Sequence, residues 1–150
     1  MAIKYFWNDF QVGEKITLGS KLFTEDDIIV FAKKYDPQFF HTDQNLALQS
    51  NYGTLIASGW QTCSEMMRII CDSYLLETAS LGSPGIENLR WIKPVRPGDK
   101  ITLTREITSK RLSKSNPQIG IVNILFEAEN QKKERVLSMQ VCQMVSPRKE

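Results

Sequence analysis

The sequence predicts an α+β fold in which one antiparallel sheet curls around one long apolar helix. Between residues 55 and 76, apolar side chains recur every three or four positions, which is the period of a helix. From residue 86 onward they recur at every second position, which is the period of a β-strand. Because neither element buries its apolar surface alone, we expect the helix and the sheet to cover each other.

The composition is that of one globular domain, which we place over residues 1–150. The 19 basic and 17 acidic residues nearly cancel, so the charge balance gives no support for a nucleic-acid partner. The N-terminal apolar run stops at Asn8 and Asp9, and no segment reaches the roughly 18 uncharged apolar residues that a membrane helix needs. We therefore expect a cytoplasmic protein without a membrane partner.

The cysteines and the glycines give no indication of a cofactor. Cys63, Cys71 and Cys142 are an odd number within apolar patterns, which favours reduced and buried thiols that serve packing. The sequence contains neither a glycine-rich nucleotide loop nor a Cys/His spacing typical of a metal site. We therefore expect no bound cofactor and no metal.

A strand and an acidic helix open the chain. The strand is predicted over residues 15–23, with one apolar face formed by Ile16, Leu18 and Leu22. Thr24 precedes three acidic residues and is predicted to cap the helix that follows. Because Pro37 disfavours helical geometry at Asp36, this helix is expected to end near Tyr35, and irregular backbone should follow.

Two more helices are predicted before the sheet. A short one begins at Thr42 or Asp43 and ends near Ser50. The long helix extends from Leu55 to Leu76, is expected to be mostly buried, and ends before the Gly/Pro-rich segment 81–85. Its apolar stripe consists of Ile56, Trp60, Cys63, Met67, Ile70 and Tyr74.

Four strands are predicted after residue 86. Short turns separate them at residues 96–99, 114–117 and 130–133, and these turns favour an antiparallel meander. A meander that curls around one long helix is the hot-dog topology.

The candidate acid and base lie five positions apart. His41 is the one histidine in the sequence, and Asp36 precedes it in a proline-bearing loop predicted to be non-helical. A carboxylate and an imidazole that converge on one water molecule can share general acid and base work near neutral pH. A structural histidine is the alternative. The neighbouring Phe40 could shield such a site from water or could belong to the core.

The start of the long helix supplies a second candidate group. Free backbone N–H groups and the positive end of the helix dipole would stabilise negative charge on a ligand oxygen near Gly59. Ser58 and Gly59 could instead serve only as a helix cap and a packing contact. Glu65, on the same helix, is a weaker catalytic candidate, because a single charge there is usually solvated or paired. The basic clusters 110–114 and 132–135 could contact phosphates, but hairpin solubility is the simpler explanation of them.

These residues resemble the MaoC-like dehydratases and the related (R)-specific enoyl-CoA hydratases. The resemblance covers nearly the whole chain, and its most specific part is the spacing of Asp36, His41 and Gly59. It implies reversible syn hydration of a trans-2-enoyl thioester, carried by CoA or by a carrier protein. In that chemistry the Asp and the His activate one water, and the glycine N–H polarises the thioester carbonyl. The resemblance also implies a homodimer, and we place Phe40, Ser58 and Trp60 at the substrate.

The signature of this family is altered at two points. Gln38 and Phe39 stand where the family has Asn-Pro, and Ser58 stands where many relatives have His. Two alternatives therefore accompany the hydratase hypothesis. A hot-dog thioesterase would direct water with Glu65, and a non-catalytic protein would bind acyl thioesters without turnover.

Overall fold

Four α-helices and six strands form within residues 2–150, which are the residues that this computed structural model describes. The helices are α1 (Glu25–Tyr35), α2 (Phe39–Thr42), α3 (Gln44–Ala47) and α4 (Gly59–Ser73). The strands are β1 (Lys15–Leu22), β2 (Ser80–Gly82), β3 (Ile86–Trp91), β4 (Lys100–Leu112), β5 (Gly120–Glu129) and β6 (Arg135–Val145). In the described residues, no helix is both long enough and apolar enough to cross a membrane.

One antiparallel sheet covers one face of α4. Its strands lie in the order β1-β4-β5-β6-β2, and β3 also pairs with β6. Met66 and Ile70 of α4 belong to the same buried cluster as Leu103, Val122 and Phe126 of the sheet. A sheet that wraps one long helix is the hot-dog fold, as the sequence predicts.

The order of the strands departs from the predicted simple meander. Strands β4, β5 and β6 do follow one another, but β3 pairs with β6 and not with β4, which it precedes in the chain. The connection between β3 and β4 does not reverse tightly, because it crosses the start of α4. There the Ala57 N–H donates to the Val95 carbonyl at 2.8 Å. This crossing brings residues 91–95 next to the helix start.

The apolar face predicted for β1 is interrupted. A β-bulge between Thr17 and Gly19 shifts the register against β4, so the alternation of the two faces changes partway along the strand. Leu22 is consequently 53% exposed, whereas the next residue, Phe23, is fully buried.

Helix α1 matches its prediction closely. Thr24 caps the helix by accepting a hydrogen bond from the Asp27 N–H, and the helix ends at Tyr35, as Pro37 requires. The short helix predicted from Thr42 to Ser50 is instead two single turns, α2 and α3. The histidine segment is therefore helical, contrary to the prediction of a loop.

Helix α4 begins later, ends earlier and is less buried than predicted. It starts at Gly59 because Ser58 acts as its cap, while residues 55–58 are buried and lie outside any helix or strand. Its buried face consists of Gln61, Thr62, Met66 and Ile70. Of the predicted stripe, Ile56, Ile70 and Tyr74 are buried as expected, whereas Trp60 and Met67 are exposed on the opposite side, which we call the outer face. The three cysteines are free and half-buried, not fully buried.

Candidate active site

His41 lies on α2 with its ring in one fixed orientation. The side chain is 6% exposed, and Nδ1 lies 2.7 Å from the backbone carbonyl of Ile56. Because a carbonyl oxygen only accepts hydrogen bonds, Nδ1 must carry the proton of this contact. The ring of Phe40 packs edge-on against the imidazole at 4.6 Å between centroids. In the neutral ring, Nε2 is therefore the nitrogen with a free lone pair.

Asp36 is the C-cap of α1 and lies against His41. Its Oδ2 is 3.3 Å from His41 Nε2 and accepts a hydrogen bond from the Ser58 hydroxyl at 2.7 Å. Its Oδ1 accepts a hydrogen bond from the Gln38 amide at 2.8 Å. Both oxygens are thus held in place, and Oδ2 faces the free nitrogen of the imidazole.

The surroundings of Asp36 favour its ionised form. Burial is the largest influence and raises the pKa of this carboxyl group. The hydrogen bonds from Gln38 and Ser58 and the charge of His41 act in the opposite direction and together outweigh burial. The pKa of Asp36 therefore lies below its usual value, and the residue is a carboxylate at neutral pH.

Gly59 places a free N–H group at the start of α4. Within residues 2–150 this amide has no hydrogen-bond partner, whereas the next amide, that of Trp60, donates to Ser58 Oγ at 3.3 Å. Trp91 lies directly on Gly59, and its indole N–H donates to the Gly59 carbonyl at 3.0 Å. A Cβ at position 59 would overlap the Trp91 ring, so glycine is required by this close approach.

One cavity of about 500 Å³ brings these groups together. Asp36, His41 and Gly59 all line it. Aromatic side chains form much of the remaining wall, namely those of Phe40, Tyr52, Trp60 and Trp91. The cavity is of the size that small-molecule sites have in proteins, and it combines an apolar wall with a few polar groups that point to one region.

Five of the six predicted site residues line this cavity. The exception is Ser58, which is completely buried and hydrogen-bonded to Asp36 and to the first turn of α4. Two residues that the sequence analysis did not single out for the site also lie here, Gln38 and Trp91. Gln38 occupies the position of the family's Asn. This correspondence could have indicated that Gln38 is a polar partner of Asp36. No pattern in the sequence indicated that Trp91 would reach Gly59.

Glu65, the candidate base of the thioesterase alternative, lies elsewhere. It pairs with Lys21 of β1 at 3.9 Å, and Lys21 also contacts Asp27 at 3.8 Å. Glu65 is not among the residues that line the cavity. Across residues 2–150, no group of three or more His, Cys, Asp or Glu side chains is arranged to hold a metal ion.

Comparison with known proteins yields close matches to one family. The MaoC like domain family matches residues 9–128 of the chain. A solved MaoC-like dehydratase from Rhodospirillum rubrum is 32% identical, with a TM-score of 0.91, and the match covers 98% of this chain and all of that one. The YdeM protein of Bacillus subtilis is 25% identical over 138 residues, which are 92% of this chain and 96% of YdeM.

A more distant match concerns the fold alone. The (R)-hydratase PhaJ1 from Pseudomonas aeruginosa superimposes with a TM-score of 0.73 at 21% identity, covering 96% of this chain and 86% of that one. Together with the matches above, the hot-dog architecture and the spacing of Asp36, His41 and Gly59, this leads to one conclusion. The chain belongs to the MaoC-like dehydratase family.

Proposed function

We propose that the protein is a hydratase and dehydratase that adds water reversibly to a trans-2-enoyl thioester to give a 3-hydroxyacyl thioester. One observation carries the proposal: Asp36 Oδ2 and His41 Nε2 lie 3.3 Å apart on the wall of a cavity that also contains the unbonded Gly59 amide. These are the groups that such a reaction needs, since it requires a base for water and a donor for the developing enolate oxygen.

The proposed reaction begins with a water molecule held by Asp36 and His41. His41 Nε2 has a free lone pair, because Nδ1 is committed to the Ile56 carbonyl, and it takes one proton from the water. The water oxygen forms a bond to C3, and the electrons of the double bond move towards the thioester carbonyl. The same proton then returns from the imidazole to C2. Because both transfers occur from one side of the substrate, the addition is syn.

Gly59 is proposed to stabilise the intermediate. The carbonyl oxygen of the thioester gains negative charge as C3 is attacked, and a free backbone N–H at a helix start is suited to bind it. Phe40 and Trp60 would contact the acyl group from the cavity wall. Ser58 would act through Asp36, to which its hydroxyl already donates.

A homodimer is part of the proposal. Strand β3 pairs with β6 on one side, and within residues 2–150 its other edge has no strand partner. Ile86 and Trp91 on β3, and Trp60 on the outer face of α4, are apolar and about half exposed. A second copy could cover this edge and these side chains, and exposed strand edges of this kind are commonly covered in proteins.

The test follows two products at once. Purified protein is mixed with a short trans-2-enoyl-CoA, and loss of the conjugated double bond is recorded together with release of free thiol. Loss of conjugation without thiol, abolished in Asp36→Asn and His41→Ala, is the expected result. Thiol release would support a thioesterase, and saturable binding without either signal would support a binding protein; both outcomes would overturn the hydratase proposal.

A further inference from the structure

Two peptide planes meet at Gly59 in the first turn of α4. The plane that carries the Gly59 N–H also carries the Ser58 carbonyl. That carbonyl accepts hydrogen bonds from the N–H groups of Gln61 and Thr62, at 3.0 and 3.2 Å. The orientation of this plane relative to the rest of the helix still depends on rotation about the backbone bonds of Gly59, and glycine has more freedom of rotation there than any other residue.

Trp91 holds the second plane, which joins Gly59 to Trp60. Its indole N–H donates to the Gly59 carbonyl at 3.0 Å. Its ring also lies against the Cα of Gly59, where it occupies the space that a Cβ would need. One side chain thus supplies a directed hydrogen bond and a packing contact to the same residue, and both oppose rotation at Gly59.

The sheet fixes the position of Trp91. This residue pairs with Leu137 in the ladder between β3 and β6. The next N–H along the chain, that of Ile92, donates to the Val136 carbonyl at 2.8 Å. The ring of Trp60 packs edge-on against the indole, with 5.1 Å between the ring centroids. Trp91 therefore connects the hydrogen-bonded sheet to the start of α4.

We infer that Trp91 is a positioning residue, which holds the Gly59 peptide so that its N–H is directed at the carbonyl oxygen of the thioester. This inference rests on the proposed function, because it concerns the amide proposed to stabilise the enolate oxygen. Such a donor is effective when it is preorganised, so that it does not reorient as negative charge develops. A displacement of about 1 Å can cost a factor of about 100 in rate.

Trp91→Phe tests the inference, with Trp7→Phe as its matched control. Phenylalanine keeps an aromatic ring but removes the indole N–H. Trp7 makes the same two contacts elsewhere: its indole N–H donates to the Ile121 carbonyl at 3.2 Å, and its ring occupies the space that a Cβ of Gly120 would need. Trp7 is not among the residues that line the catalytic cavity. The two variants therefore make the same chemical change inside and outside the site.

The first readout is hydration of the short trans-2-enoyl-CoA. We expect kcat to fall about tenfold in Trp91→Phe, which is less than for loss of a whole donor, because the amide itself remains. KM should change by less than about twofold, since the donor acts mainly in the transition state. Trp7→Phe should leave kcat unchanged.

Two further measurements distinguish positioning from a general disturbance of the fold. Trp91 is 46% exposed, so Trp91→Phe should lower the melting temperature by less than about 3 °C. Both limbs of the pH–rate profile should stay in place, because Asp36 and His41 are unchanged. A loss of stability without a change in kcat would overturn the inference.

The second readout needs no turnover. Butanoyl-CoA labelled with ¹³C at its carbonyl cannot be hydrated, because it lacks the double bond. A hydrogen bond from the Gly59 amide polarises this carbonyl, so binding to the native protein should lower its infrared stretching frequency. This shift should be smaller in Trp91→Phe and should keep its native size in Trp7→Phe.

The outcomes separate this inference from the proposed function. A native carbonyl shift in Trp91→Phe, with or without a lower kcat, would overturn the inference, and hydration by the native protein would leave the hydratase proposal standing. No carbonyl shift in the native protein would also overturn the inference. A shift that depends on Trp91, in a protein that releases thiol or does not hydrate the enoyl group, would support the inference and overturn the hydratase proposal.

Discussion

Each end of helix α4 lies beside an acidic side chain that is paired with a nitrogen-bearing one, but the two pairs are arranged differently. At the N-terminal end, Asp36 and His41 face the catalytic cavity with Oδ2 and Nε2 3.3 Å apart. At the C-terminal end, Arg105 of β4 contacts Glu14 directly through Nη2. The guanidinium carbon of Arg105 also lies 4.4 Å from the ring centroid of Tyr74 and 5.5 Å from that of Phe10.

This difference distinguishes a site suited to chemistry, at the N-terminal end, from a structural contact at the C-terminal end. Arg105 is in contact with a carboxylate and two aromatic faces, so its positive charge interacts with groups inside the fold. Burial raises the pKa of Tyr74 to about 12, so its hydroxyl stays protonated at neutral pH and offers no base. At the other end, an ionised carboxylate, the imidazole nitrogen that faces it and a free amide lie at one cavity. The arrangement suited to general acid–base chemistry is therefore the one at the N-terminal end.

The largest effect is expected from His41→Ala. Removing the proposed base should lower kcat for hydration about 1,000-fold, within the range reported for loss of general acid–base catalysis. The rate of loss of enoyl conjugation measures it, and circular dichroism checks the fold. Full activity in a folded variant would show that His41 is not the base and would contradict the proposed mechanism.

Arg105→Ala tests the opposite end. This truncation should reduce the free energy of unfolding by about 3 kcal/mol, since it leaves a cavity and removes the contacts with Glu14 and both rings. Arg105→Met, which retains most of the volume, should cost less than about 1 kcal/mol. Denaturant unfolding measures both, and kcat should stay unchanged. A selective loss of activity in a stable variant would contradict the structural role of this pair.

Gly59→Ala acts on the helix start itself. The added methyl group overlaps Trp91, so the ring or the first turn of α4 must move. We expect a loss of about 2 kcal/mol of stability from this overpacking, and a fall of about 100-fold in kcat, because the amide would be misplaced for the enolate oxygen. Gly85→Ala is the control, since a Cβ at position 85 meets no atom within 4 Å. Equal stability and equal kcat in the two variants would contradict a specific requirement for glycine at position 59.

Gln38→Ala should have the smallest effect, about fivefold on kcat, or about 1 kcal/mol for one hydrogen bond to Asp36. Without this bond the pKa of Asp36 should rise towards its usual value, so the acid limb of the pH–rate profile should move to higher pH.

The stability of the Gln38 variant has a defined pH dependence. A carboxyl group whose pKa is lowered by folding adds stability above its unfolded pKa, and this stability is lost as the pH falls through the folded value. Here the unfolded pKa is close to 3.8. Gln38→Ala should therefore be less stable than the native protein at pH 7 but nearly equal to it below both pKa values. Gln49→Ala, at an exposed glutamine, is the control and should show no such difference.

Local features were predictable where short-range rules govern them. The cap at Thr24, the end of α1 before Pro37 and the strands after residue 86 all depend on neighbours in sequence, and each prediction agrees with the structure. The start of α4 was placed four residues too early. Leu55 and Ile56 continue the apolar pattern, yet they are buried outside any helix, next to Ala57, whose N–H donates to Val95 of the β3–β4 connection.

By itself, the sequence determined the α+β class, the periods of helix and strand and the spacing that leads to Asp36, His41 and Gly59. Only the tertiary structure decided that β3 pairs with β6, that Trp60 and Met67 lie outside, that Ser58 and Gln38 hold Asp36, and that Trp91 covers Gly59. The physical reason is distance along the chain. Periodicity and capping act over a few residues, whereas these pairings join segments that meet only when the sheet closes around the helix.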